Sequence, residues 1–273
     1  MTALRALAFG ELDAGAWGVA WLPEGATPAS LVVGLGSSTT VVPGTLEGGE
    51  RVDDWRLHGD TAELVLSPLA APVSSGAPND GIEGFDQLCT VSGRFQQLGA
   101  EHTVECLGWR SARSGRLDLD RLGSFRQVST WFEPDDGLAL LALRPRKSRG
   151  QEADVLAAAV LEAARPGAVA DPRLSTTYTA AGLPARAGLE LWVETGSSDA
   201  EEAQDARTSS EAGDDRTAGE QAEPHQYPRR AAGEALGAHA DWSVAEFDLH
   251  AELFRWHNRG REGAGVYLLG SHR

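Results

Sequence analysis

The chain has 273 residues, 41% of them hydrophobic and 23% charged, which is the composition of a globular protein with one large β domain or two small ones. The formal net charge is −16 and the sequence pI is about 4.8. Because no basic cluster interrupts this acidic surface, we expect no nucleic acid as a partner. The apolar runs are too short to span a membrane. The N-terminus lacks the apolar core of a signal peptide, so we expect a cytoplasmic protein.

Short runs in which apolar and polar residues alternate fill the first half of the chain and predict antiparallel β-strands. Turn-forming Gly, Pro, Asn or Asp residues separate most of these runs. The predicted strands cover residues 4–12, 17–22, 31–33, 41–44, 55–57, 62–67, 85–95, 102–110, 125–132 and 138–144. A proline-rich loop at 68–78 separates the early strands from the longer ones that follow.

Residues 154–164 fit either a helix or a buried strand. Ala, Leu and Glu favour a helix, for which Asp154 is a suitable N-cap. The strands on both sides favour a buried strand, which is the interpretation we prefer. Further strands are predicted at 174–179, 189–194, 227–236, 243–256 and 260–269.

Residues 196–225 are polar and strongly acidic, with nine carboxylates against Arg207 and Arg216. Such a like-charged segment has too little apolar area to offset the entropy cost of ordering, so we predict a disordered loop. Because it lies between two alternating runs, we interpret it as a long hairpin loop near the C-terminus. The strands after it are too few to fold alone and are expected to complete a sheet begun upstream.

The pattern as a whole predicts an all-β, antiparallel, many-stranded protein that is closed or nearly closed as barrels. Cys89 and Cys106 are the only cysteines. A hairpin that turned at Gln97 and Leu98 would place them opposite each other, where a disulfide is geometrically conceivable. Without a secretory signal, we interpret them as two buried free thiols.

One face of the run 243–256 changes character along its length. It carries, in order, Glu246, Asp248, His250, Glu252, Phe254 and Trp256. Residues two apart on a single strand rarely converge on one ion, so we expect a solvated face and no metal site. The change from acidic to aromatic residues indicates that this face passes from solvent into an enclosed region, as at a barrel mouth.

Eight tryptophans against three tyrosines is an unusual ratio, and all eight fall on or beside predicted strands. A tryptophan-lined interior suits a flat or isoprenoid ligand, whereas packing in the core is the plainer explanation for any one of them. A carbohydrate-binding β-sandwich is a further alternative. It requires tryptophans on a polar outer face, but several here have apolar neighbours.

Motifs for a bound cofactor or an activated nucleophile do not occur in the sequence. It contains no Gly-x-Ser-x-Gly, no HExxH and no phosphate-binding loop, and the Gly34-Leu35-Gly36 run lacks a third glycine. We therefore expect no cofactor and no metal.

Two stretches resemble a known family. Residues 84–93 (GFDQLCTVSG), which lead to the LGWRS run at 107–111, and residues 254–267 resemble the lipocalin-like superfamily of carotenoid 1,2-hydratase (hydroxyneurosporene synthase) and AttH-type proteins. The resemblance implies two packed lipocalin-like barrels or half-barrels, with an N-terminal domain at 1–145 and a C-terminal domain at 146–273. It also implies a pocket for an apolar molecule of isoprenoid or polyketide type.

The resemblance further suggests site residues. Hydration, cyclisation or isomerisation without a cofactor needs a carboxylic acid kept neutral by burial, and Glu83, Asp86 and Glu105 lie on the matching segments. They are therefore the candidate catalytic residues. The candidate ligand-binding residues are Trp109, Arg110, Trp131, Phe254 and Trp256.

Two adjacent positions depart from the family pattern. After a Gly-x-Arg motif the family has Asp-His, whereas this chain has Ser111 and Ala112. A side chain able to donate a proton is therefore missing there, which puts hydratase chemistry in doubt. A carrier or sensor that binds a hydrophobic molecule without catalysis is the alternative.

Overall fold

A computed structural model describes residues 3–13, 15–25, 29–48, 53–148, 150, 153–162, 169–194 and 226–273. Within these ranges the chain forms antiparallel β-strands, two short 3-10 helices and no α-helix, which confirms the predicted all-β class. The acidic segment predicted to be a disordered loop, 196–225, lies outside the described residues. Among the described residues, no helix is long and apolar enough to span a membrane.

Nine strands build the first sheet. They are β1 (Leu4–Gly10), β2 (Ala16–Pro23), β3 (Ala29–Leu35), β4 (Ser38–Glu47), β5 (Trp55–Gly59), β6 (Ala62–Pro68), β7 (Val73–Ser74), β8 (Ile82–Gln97) and β9 (Ala100–Gly115). Their order is β6-β5-β4-β3-β2-β1-β9-β8-β7, and an additional pairing joins β6 to β8. This pairing closes all strands except the two-residue β7 into a barrel, the first barrel.

Eight strands build the second sheet. They are β10 (Leu122–Glu133), β11 (Asp136–Pro145), β12 (Val155–Val160), β13 (Val169–Tyr178), β14 (Pro184–Glu194), β15 (Gln226–Val244), β16 (Phe247–Asn258) and β17 (Arg261–His272). Their order is β12-β11-β10-β17-β16-β15-β14-β13. The sheet curls so that β12 lies beside β13 without a ladder between their described residues, and it forms a nearly closed second barrel.

This pair of barrels is the lipocalin-like architecture that was predicted. The three strands that follow the acidic segment join the sheet begun by β10 to β14, as expected. The preferred interpretation of 154–164 is also confirmed for its described residues, since β12 is a strand; residues 163 and 164 lie outside them. The chain changes sheets between Gly115 and Leu122. A change of sheet is not by itself a domain boundary, so the domain boundary expected near residue 145 stays a prediction.

The run 243–256, predicted as one strand, is a hairpin instead. β15 ends at Val244, which pairs with Phe247 at the beginning of β16. Ala245 takes a left-handed conformation with a φ of 51°. Turns of this kind normally use Gly or Asn at such positions, so this turn could not be recognised from its residues.

The two cysteines do not lie opposite each other. The β8–β9 hairpin turns at Leu98 and Gly99, whose φ angles are 53° and 78°. Consequently Cys106 pairs with Val91 and Cys89 with Gly108, and both thiols are free. Burial raises the pKa of the Cys106 thiol to about 12 and also raises the pKa of Cys89, so both stay protonated at neutral pH.

Apolar side chains in the described residues form three cores. One fills the interior of the first barrel, one fills the interior of the second barrel, and the third forms a layer between the barrels. In the layer, Trp21 from β2 stacks on Phe125 from β10 with ring centroids 4.6 Å apart. Such an aromatic pair contributes about 0.5–1.5 kcal/mol beyond its buried area, so these rings help to hold the two barrels together.

Candidate functional site

A cavity of about 750 Å³ lies at one end of the first barrel. Its wall is formed where β1 and β3 begin and where β2 and β4 end. The lining includes Arg5, Leu22, Ala29, Gly44 and Leu46. Its volume lies within the range of roughly 300–1,000 Å³ that is usual for small-molecule sites.

Strand alternation turns the cavity's side chains inward. Leu22, Ala29 and Leu46 belong to the interior core of the first barrel. Arg5 lies on the same face of β1 as Leu7, which belongs to that core as well. The cavity is therefore a half-open depression at the mouth of the first barrel, next to the core that fills the barrel interior.

Small residues keep this end of the barrel open. Ala29 and Gly44 are partners in the β3–β4 ladder and fill little of the inner face. A Cβ atom at position 44 would lie 2.7 Å from the carbonyl oxygen of His58, so the backbone approach of β5 requires glycine there.

Arg5 supplies the cationic group of the cavity. Its Nη1 donates hydrogen bonds to the carbonyl oxygens of Gly48, at 2.6 Å, and Leu46, at 3.5 Å. No carboxylate of the described residues forms an ion pair with this guanidinium. Burial lowers the pKa of Arg5, which reflects the cost of removing its charge from water.

Arg110, one of the candidate ligand-binding residues, is fully buried on the inner side of the first barrel. Its Nε donates to Oε1 of Gln87 at 2.9 Å, and its Nη1 donates to the carbonyl oxygens of Asp53 at 2.5 Å and Leu66 at 3.3 Å. The guanidinium carbon lies 5.1 Å from the ring centroid of Trp55, a cation–π contact. Arg110 therefore ties the strands of the wall to one another.

The other four candidate ligand-binding residues lie elsewhere. Trp109 and Trp131 belong to the layer between the barrels, whereas Phe254 and Trp256 stack inside the second barrel with centroids 5.7 Å apart. The void described beside Trp109 measures about 10 Å³, no more than one water needs. The structure does not bring these residues to one pocket, and their roles as ligand contacts stay predictions.

Tryptophans mostly pack the layer rather than line a hollow. Seven of the eight are buried, and five of these belong to the layer between the barrels. Trp55 lies inside the first barrel and Trp256 inside the second. Core packing, the plainer explanation, is thus the observed role of most of them, and the described cavity at the first barrel has no tryptophan in its lining.

The three candidate acids lie in different surroundings. Glu83 and Glu105 are exposed, so burial cannot keep either of them neutral. Asp86 is buried on the face of β8 that also carries Leu88, a residue of the layer between the barrels. It therefore lies outside the interior of the first barrel, and it is not among the described residues that line the cavity.

Asp86 is the acceptor in each of its described hydrogen bonds. The donors are Nε1 of Trp109 at 3.0 Å, Nη2 of Arg113 at 2.6 Å, and the hydroxyl of Ser75. Arg113 reaches it by lying across Gly84, where a Cβ atom would come within 2.6 Å of Arg113 Cδ. This network is typical of a buried ion pair that fixes two strands, and a catalytic role for Asp86 stays a prediction.

A second polar cluster lies on β15 and β16. Nδ1 of His250 is 2.8 Å from Oδ1 of Asp241, and Nε2 of His250 is 3.6 Å from Oε2 of Glu252. Glu252 Oε1 also accepts a hydrogen bond of 3.1 Å from the backbone N–H of Gly237. Burial by itself would lower the pKa of His250, but the carboxylates of Glu252 and Asp241 outweigh it and raise the pKa.

Burial along β16 corrects one expectation and supports another. His250 and Glu252 are buried, so this part of the strand is not the solvated face that was expected. Asp248 is exposed, whereas Phe254 and Trp256 are fully buried, so the face does pass from solvent into an enclosed region. In the described ranges, no three or more His, Cys, Asp or Glu side chains converge as a metal site would require.

Sequence reasoning missed Arg5 and the aliphatic residues around it. The available pattern was a single charged residue at an inward position of an otherwise apolar strand, Leu4–Gly10. Charged residues on the inner face of a barrel are unusual unless they have a partner or a ligand. The inward direction of Arg5 could not be deduced, however, because both faces of β1 are apolar.

No protein-family model matches the sequence, and no curated protein matches it by sequence. Solved structures do match. Kievitone hydratase from Nectria haematococca aligns with a TM-score of 0.57 and 7% identity, over 98% of this chain and 88% of that one. CghA with Sch210972 aligns with a TM-score of 0.59 and 12% identity, over 99% and 89%. An AttH candidate from Nitrosomonas europaea aligns with a TM-score of 0.52 and 12% identity, over 100% of this chain and 92% of that one.

The chain has the AttH-like, lipocalin-type fold. At such low identity the likeness shows the fold alone, and at that level the resemblance predicted from the sequence is confirmed. The alignments cover both barrels, so the two-barrel architecture as a whole is shared.

Proposed function

We propose that this chain binds a hydrophobic small molecule, of isoprenoid or polyketide type, in the cavity of the first barrel. The observation that carries the proposal is a half-open cavity of about 750 Å³ at the mouth of the first barrel, whose lining includes the core residues Leu22, Ala29 and Leu46. Burial of roughly 300 Å² of apolar ligand surface would favour binding by roughly 7 kcal/mol before the entropy of association is subtracted.

The fold supports this proposal. One protein with the same fold is named as a hydratase of kievitone, and another, CghA, is seen with Sch210972. Both names point to small organic molecules, so the two-barrel architecture is compatible with handling them. A shared fold does not establish a shared function, so the proposal depends on the cavity of this chain.

Carriage or sensing is the form of this function that the cavity favours. Protonation of a C=C bond needs a carboxylic acid held in a dry site. The carboxylate in the described lining is Glu24, which is exposed at the rim and accepts a hydrogen bond of 2.9 Å from the backbone of Ala3. Cofactor-free hydration, cyclisation or isomerisation is the second candidate, because a hydratase has the same fold.

The carbohydrate-binding alternative loses its basis. A sugar platform uses the exposed face of an aromatic ring, and seven of the eight tryptophans are buried. The eighth, Trp192, is half-buried and donates its indole N–H to Glu190 at 2.8 Å.

Titration with retinol, a polyene probe, tests the proposal. Ala29→Leu adds methyl groups to the cavity wall and is expected to weaken retinol binding at least tenfold. Ala232→Leu, at an exposed position of β15, is the matched control and should bind like the unaltered protein. An absence of retinol binding, or equal affinities in all three proteins, would contradict the proposal. Chromatography of recovered retinol distinguishes the two candidates, because a carrier returns it unchanged.

A further inference from the structure

We infer that the natural ligand is an amphipathic acid whose carboxylate binds Arg5 while its apolar part occupies the cavity of the first barrel. This inference rests on the proposed function and specifies the chemical class of the ligand. It assigns Arg5 as the residue that selects an acid over a neutral molecule of the same shape.

Arg5 is the basic residue in the described lining of the cavity. Arg5 lines the cavity together with aliphatic residues, and the carboxylate of the described lining, Glu24, is exposed at the rim and accepts a hydrogen bond from the backbone of Ala3. Its hydrogen bonds go from Nη1 to two backbone carbonyls, those of Leu46 and Gly48. A guanidinium has five N–H donors, so donors on Nη2 and Nε are left for a carboxylate, which can accept two of them at once.

The positive charge of Arg5 is not balanced by a described carboxylate. Removing a guanidinium from water is costly unless a counter-charge compensates it. Arg5 is half-buried, and no described carboxylate forms an ion pair with it. The lowered pKa of Arg5 agrees with incomplete compensation in the unliganded protein. A bound carboxylate would supply the missing charge.

Three other arginines with little solvent exposure pair with carboxylates, whereas the buried Arg110 donates to Gln87 and to backbone carbonyls and lies over the ring of Trp55. Arg113, Arg126 and Arg229 each lie within 3 Å of a described carboxylate oxygen, the closest approaches being 2.6, 2.6 and 2.9 Å. The protein therefore compensates these arginines internally. Arg5, at the cavity, lacks a carboxylate partner in the part of the chain that the structure describes, which is the arrangement expected where a ligand brings the negative charge.

The net charge of the protein makes the contact specific. With a formal charge of −16, the molecule as a whole repels anions. An acidic ligand thus gains nothing from the general field, and its preference must come from local contacts. Arg5 is the cationic side chain in the described lining of this cavity.

Retinoic acid and retinol provide a test, because they share the polyene and differ at the terminal group. The unaltered protein should bind retinoic acid roughly tenfold to a hundredfold more tightly than retinol, as a charge-assisted contact implies. Arg5→Met should remove this preference, so that the variant binds the two probes with similar affinity. Arg121→Met removes an arginine whose side chain is 87% exposed and should leave both affinities unchanged.

The outcomes separate the two proposals. Binding of both probes with equal affinity to the unaltered protein, and no effect of Arg5→Met, would overturn the role of Arg5 but leave the cavity as a binding site. Binding of neither probe would overturn the proposed function itself. If Arg5→Met fails to fold by circular dichroism, Arg5→Lys keeps the charge, and the acid-to-alcohol ratio of the unaltered protein still decides.

Discussion

At the scale of single residues, ionisable groups inside the molecule differ in the partners that they have. Asp86 and Arg113 neutralise each other in a buried ion pair of 2.6 Å. Arg5 faces a cavity instead, and its partners among the described residues are backbone carbonyls. A compensated pair suits a structural role, whereas an uncompensated charge at a cavity suits recognition.

His250 makes a pH dependence predictable. Asp241, Glu252 and the ring of His239, whose centroid lies 5.7 Å away, face this imidazole. Because the folded pKa of His250 is raised above its ordinary value of 6.5, the folded state holds the proton more tightly than the unfolded state. The resulting stabilisation is fully present below about pH 6.5 and is lost as the pH rises through the folded pKa.

We therefore expect His250→Gln to lower the free energy of unfolding most at pH 6 and progressively less towards pH 9. Urea unfolding at several pH values measures this difference. His257→Gln, at an exposed position of the same strand, is the control and should show no such trend. A difference between His250→Gln and the unaltered protein that grew with pH would contradict the assignment.

At the scale of elements, hairpins explain where the sequence was informative. Turns with Gly, Pro or Asp between alternating runs were predicted correctly, as at Pro134 and Asp135 between β10 and β11. The turn at Ala245 and Glu246 was missed, because alanine rarely adopts the left-handed conformation found there. One missed turn reverses the inward and outward faces of the residues before it.

The turn of the β8–β9 hairpin yields a stability prediction. Leu98 is 87% exposed and has a φ of 53°, which is unfavourable for leucine. Since Asn-Gly is the preferred pair for such a two-residue turn, Leu98→Asn should stabilise the protein by about 1 kcal/mol.

Thermal and urea unfolding measure this gain. Leu69→Asn is the comparison, because Leu69 is also exposed but has no left-handed backbone conformation to relieve. It should bring no stabilisation. A loss of stability in Leu98→Asn would mean that the hairpin does not turn at Leu98 and Gly99.

At the scale of the whole molecule, the sequence determined the fold class better than the site. Alternation revealed the strands, and the resemblance revealed the paired barrels. The cavity could not be predicted from the sequence, because strands such as β2 are buried at every position and have two apolar faces. Trp21 and Leu22 are adjacent, yet one lies in the layer between the barrels and the other inside the first barrel. Hydrophobicity alone cannot tell these two environments apart.

The central claim is that an apolar ligand binds in the cavity of the first barrel. A long-chain alcohol that carries a photoreactive diazirine can report this place directly, by crosslinking followed by peptide mapping. We expect labels on the segments around Arg5, Leu22 and Leu46, and competition by retinol. Labels that fall instead on the second barrel or on the layer between the barrels would contradict the account.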